Sequence, residues 1–168
     1  MQLRPEALRF VLAQGLPATI EVVGASMTPT IAVGDKVSVV AWPRGGERAG
    51  EIVLVETAGE QLLLHRVMHV FAERGATFVA HQGDAGGELA IVAREAVLGR
   101  LSAFADGRPA PTPERLDAAA RSLYARRRVA AVALVAARRA ARLLGVGESP
   151  TARTWGRRLR ALARRLAG

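Results

Sequence analysis

Ser26, His65 and Asp84 stand in that order in a chain of 168 residues that contains no cysteine. Together these residue types can carry out nucleophilic acyl transfer. A serine hydroxyl is a poor nucleophile near neutral pH and needs a base to take its proton. A histidine, with an ordinary pKa of about 6.5, can be that base without much tuning. A carboxylate can then fix the histidine tautomer and stabilise the imidazolium. Ser26 lies in Val23-Gly24-Ala25-Ser26-Met27-Thr28-Pro29, after a short apolar run. Glycine before and proline after can hold a hydroxyl rigidly at a surface. The serine N–H is then available to a developing oxyanion.

The pattern is longer than a lone Gly-x-Ser. It continues through Thr30-Ile31-Ala32-Val33-Gly34-Asp35. This stretch resembles the nucleophile box of the signal peptidase I family, in the clan that includes LexA-type self-cleaving repressors. Gly50-Glu51-Ile52-Val53 resembles the next block of that family, with Glu51 where an aspartate is usual. Leu62-Leu63-Leu64-His65-Arg66-Val67 resembles the strand that carries the general base, in the endoplasmic-reticulum and archaeal subtype that uses histidine rather than lysine. The single lysine, Lys36, does not fall at the base position. His81-Gln82-Gly83-Asp84 resembles the segment that follows, and Val97-Leu98-Gly99-Arg100-Leu101 the closing strand. The resemblance covers about residues 18–105. It implies a serine endopeptidase with Ser26 as nucleophile, His65 as base and Asp84 as orienting group. Glu88 is the alternative carboxylate, and a Ser–His dyad alone also fits. Met27 is the expected substrate contact. The implied substrate is an extended peptide with small side chains near the cut, in a specific precursor. Asp35 reads as a turn cap, and His69 and His81 as structural.

The lack of cysteine excludes a disulfide framework, a thiolate metal site and a cysteine nucleophile. His65 and His69 could share a zinc ion on a helix, but on a strand they lie about 13 Å apart, too far for one ion. Neither metal nor cofactor is expected. The longest apolar run, Val129–Ala137, is too short to span a bilayer. Charged residues also interrupt any secretory pattern at the N-terminus. The expected location is therefore cytoplasmic, peripheral at the inner membrane surface.

The elements that must position these residues change along the chain. Pro5 to Gln14 has helical spacing. Six strands are predicted, over Thr19–Val23, Lys36–Ala41, Glu51–Glu56, Gln61–Phe71, Thr77–His81 and Ala96–Ala105. The fold class is mostly β: a compact antiparallel signal-peptidase-like domain with a short N-terminal helix and a basic C-terminal helical extension. Residues 1–17 form the helical entry, 18–106 the catalytic β domain, 107–113 a proline-rich linker and 114–168 an arginine-rich tail. Two helices are predicted in the tail, over roughly Pro113–Leu144 and from Ser149-Pro150 onward. Residues 115–168 hold fourteen arginines against Asp117 and Glu148, whereas the rest is slightly acidic. In the last helix Trp155, Leu159, Leu162 and Leu166 share one stripe among arginines, a pattern that can pack on the protein itself or lie on an anionic membrane. Nucleic acid is a weaker fit. Two other function classes compete: a self-cleaving, DNA-binding regulator, and a non-catalytic module that binds membrane or a partner.

Overall fold

The computed structural model describes residues 4–59 and 61–143. The chain divides after Leu116 into two compact units.

The first unit is built on one antiparallel sheet. Its strands are β1 (Ala18–Glu21), β2 (Lys36–Val40), β3 (Ile52–Glu56), β4 (Leu62–Glu73), β5 (Ala76–Gly83), β6 (Gly86–Ala93) and β7 (Val97–Phe104). Their spatial order is β1-β2-β7-β3-β4-β5-β6. The mostly-β class is therefore as the sequence predicts, with one strand more. β6 opens on Gly86-Gly87, which read as part of a turn, yet it pairs antiparallel with β5.

β3 lies at the centre of the sheet and is buried on both faces. Alternation sends Ile52 and Leu54 to one side and Val53 and Val55 to the other. The first pair joins a core with Leu8, Leu12, Met27, Ile31, Val37 and Val39. The second joins a smaller core with Trp42, Val67, Val79 and Val97. Helix α1 (Pro5–Ala13) closes the larger core. Proline suits its first turn, and Leu8 and Leu12, four apart, share its buried face. Each such side chain contributes about 1.5–3 kcal/mol by burial. Gly99 on β7 permits the contact, since a Cβ there would lie 3.2 Å from Leu12 Cδ1 and 2.5 Å from the Val40 carbonyl.

The stretch 107–113, predicted as a linker, is held on the sheet. Pro109 bridges Ala103, and the Pro111 carbonyl accepts a hydrogen bond from Arg66. Proline-rich composition marks a stiff extended path here rather than a loose one. Pro113–Arg115 is a short 3-10 turn. The second unit contains α2 (Ala118–Leu143), in which Tyr124, Ala131 and Val135 are buried. α2 begins later than the predicted Pro113 start. No described helix is long and apolar enough to cross a membrane. The helix predicted from Ser149 lies outside the described residues.

Candidate active site

Ser26 sits in a loop closed at its neck. The Val22 N–H donates to the Asp35 carbonyl at 2.9 Å, and the Gly34 N–H donates to the Val22 carbonyl at 2.7 Å. Inside the loop, Thr28 N–H donates to Ala25 and Ile31 N–H to Met27, winding a helical turn. Asp35 accepts the Ala32 N–H through Oδ2 at 2.8 Å, the capping role its type predicts. Met27 is 1% exposed and Ile31 fully buried, so the loop is nailed into the larger core directly behind the serine. Met27, the predicted substrate contact, is thus an anchor of the loop. Ser26 itself is half-buried. Neither its hydroxyl nor its N–H bonds to any described residue, which leaves the N–H open to an incoming oxyanion.

The other side of Ser26 rests on the turn between β5 and β6. The Ala85 N–H donates to the Ser26 carbonyl at 2.9 Å. A Cβ on Gly83 would come within 2.4 Å of the Ser26 carbonyl oxygen and 3.1 Å of Ser26 Cβ. Only glycine permits so close an approach of the two backbones.

His65 lies on β4, half-buried, opposite Val53 of β3. Its Nδ1 is 2.9 Å from Nδ1 of His81 on β5, and the rings are tilted by 49°. Burial pushes His65 below the ordinary imidazole range, and the nearby Asp84 carboxylate partly offsets this. His81 is 2% exposed. Burial first, and the charge of His65 second, push its pKa down to about 4. Its Nε2 is enclosed with no partner among the described residues.

Asp84, predicted to orient His65, instead grips Arg66. Arg66 Nε donates to Oδ1 at 2.8 Å and Nη2 to Oδ2 at 2.6 Å, while Nη1 donates to the carbonyls of Gly50 and Pro111, both at 2.8 Å. Arg66 is fully buried. A guanidinium so enclosed takes the nearest carboxylate in a two-pronged pair, because an unpaired buried charge is strongly unfavourable. Asp84 acts on His65 as a nearby charge, while its two oxygens accept from Arg66. Glu88, the alternative, is exposed on β6. Glu51 accepts from Trp42 Nε1 at 2.7 Å and from the Arg48 N–H, fixing the approach to β3. Lys36 is exposed at the start of β2.

The structure therefore collects the Ser26 loop, His65 and Asp84 around the end of β5, and adds two residues. Arg66 had a signal, since a charge inside the apolar run Leu62–Val67 demands a buried partner. His81 had none, because only strand register brings it to His65. Among the described residues no three histidine or acidic side chains cluster closely enough to hold a metal. Comparison with known families and with curated proteins finds no match to either.

Proposed function

We propose that the chain is a serine endopeptidase. The observation that carries this reading is the seating of the Ser26 loop on Gly83 and Ala85, at the end of the strand whose His81 touches His65. Ser26 Oγ attacks the scissile carbonyl, and His65 takes the hydroxyl proton and returns it to the leaving amine. Water then hydrolyses the acyl-enzyme by the same route. The Ser26 N–H stabilises the tetrahedral oxyanion. The substrate is an extended peptide segment of a precursor protein. The arginines of α2 favour an anionic surface, so processing beside the inner membrane surface of the cytoplasm is the role we assign.

The test is cleavage of a diverse peptide library, with and without anionic liposomes, by wild type and Ser26→Ala, read by mass spectrometry. Cuts made by wild type should fall by ~10⁴-fold or more in the variant. Cuts that persist unchanged in folded Ser26→Ala, or no cuts by wild type under either condition, would overturn the reading.

A further inference from the structure

We propose that His81 is the positioning residue for His65, so that the relay runs Ser26–His65–His81 with an imidazole where a carboxylate is usual. The inference rests on the peptidase reading and names the third member of its site. At 2.9 Å, two Nδ1 atoms are bonded only if one proton lies between them. When His65 supplies it, His65 Nε2 is a lone pair and can accept the Ser26 proton. When His81 supplies it, His65 carries its proton on Nε2 and is no base. The first arrangement is the productive one.

Asp84 does not take this place in the structure: its oxygens accept from Arg66, and its influence on His65 is that of a nearby charge. The register partners of His81 are Val67 on β4 and Ala90 on β6, both apolar, so its environment points it to His65. The charged groups near the pair include Asp84, whose carboxylate favours a cation on His65, and the Arg66 guanidinium that Asp84 grips. His81 is the more enclosed ring and the weaker base. The imidazolium formed during attack therefore stays on His65. The Oγ–C bond forms as the Oγ–H proton passes to His65 Nε2, and His65 Nδ1–H leans on the His81 Nδ1 lone pair. The Nε2 proton then leaves with the amine as the C–N bond breaks.

The experiment uses the full chain, the peptide cleaved best in the library, and His81→Phe, His81→Asn and His81→Asp. His81→Phe fills the space without an acceptor and should lower kcat by ~10²–10⁴-fold, with KM within ~3-fold of wild type. His81→Asn restores an acceptor near Nδ1 and should regain at least ~10-fold of that loss. His81→Asp should move the acid limb of kcat/KM to higher pH, since a carboxylate favours the imidazolium. The chain has three histidines, so ring-nitrogen NMR can be assigned by single substitutions. It should show the His65 proton on Nδ1 in wild type. A His65 proton on Nε2, or a folded His81→Phe with wild-type kcat, overturns the relay alone. Absence of Ser26-dependent cleavage instead overturns the reading beneath it.

Discussion

His65 and Arg66 are neighbours on β4, and each finds its partner from β5 or the turn beyond it, yet the two pairs differ in kind. Arg66 is fully enclosed and its Nε, Nη1 and Nη2 all donate, to Asp84, Gly50 and Pro111. His65 shares one bond with His81, and both imidazoles are held below their ordinary range. One nitrogen of that pair, His81 Nε2, is enclosed without a partner among the described residues. A polar group whose demands are met inside the protein fixes a shape. A polar pair left partly unmet is the kind of group the proposed reaction needs to move a proton. Arg66 holds the turn on which Ser26 rests, and His65 is the base of the proposed reaction.

The largest expected effect tests the scaffold half of this contrast. Arg66→Met keeps the bulk of the side chain but takes the two-pronged partner from the Asp84 carboxylate and a donor from the Gly50 and Pro111 carbonyls. It should destabilise the protein by about 3–5 kcal/mol, because removing one partner leaves an uncompensated buried charge. Thermal or denaturant unfolding should show a fall in Tm of more than ~10 °C. His81→Phe should lose far less stability while losing far more activity. The contrast breaks if Arg66→Met melts with wild type, or if the two variants lose stability and activity in the same proportion.

The second effect is the pH dependence of stability. His81 has a folded pKa of about 4 against an ordinary 6.5, so between those values the unfolded chain binds the proton and the folded one does not. Its contribution is complete above about pH 6.5, shrinks as pH falls, and levels off below about pH 4. The loss is at most roughly 3 kcal/mol from this group, on the scale of 1.36 kcal/mol per pKa unit. His81→Phe removes the group that titrates. Denaturant midpoints of the two proteins from pH 7 to pH 4 should therefore diverge in slope, with wild type falling faster. Parallel lines would mean that His81 is not held neutral by its surroundings.

How much of this could be read before folding follows from range. The serine box and six of the seven strands are local patterns, carried by valine and leucine runs and by glycine punctuation. The pairing of His65 with His81 is not local. It depends on a register in which Arg66 faces Gln82 and Val67 faces His81, before an irregularity between Val67 and His69 shifts the ladder. Moving a strand by one residue would send either histidine to the opposite face. Asp84 is expected to orient His65 on a resemblance alone, but its partner is decided by Arg66, one residue beyond His65 and costly to leave unpaired. β6 was missed because its first two residues, Gly86 and Gly87, have positive φ and read as a turn that the strand in fact grows out of.

Two glycines with similar steric constraints give the smallest and most discriminating comparison. A Cβ on Gly83 would lie 2.4 Å from the Ser26 carbonyl oxygen, and one on Gly99 would lie 2.5 Å from the Val40 carbonyl oxygen. Both contacts involve backbone, so neither can be relieved by turning a side chain. Each alanine should therefore cost about 1–3 kcal/mol by overpacking. The functional consequences should separate. Gly99→Ala strains β7 against β2 and α1, away from the serine, so its folded fraction should cleave at close to the wild-type rate. Gly83→Ala pushes the Ser26 loop off its seat, and a displacement near 1 Å at a nucleophile can lower the rate by ~10²-fold. Measured under conditions where both variants are folded, kcat/KM should fall steeply for Gly83→Ala alone. Equal activities would show that the close seating of Ser26 on Gly83 serves packing only, and the contrast between scaffold and working site would have to be drawn elsewhere in the sheet.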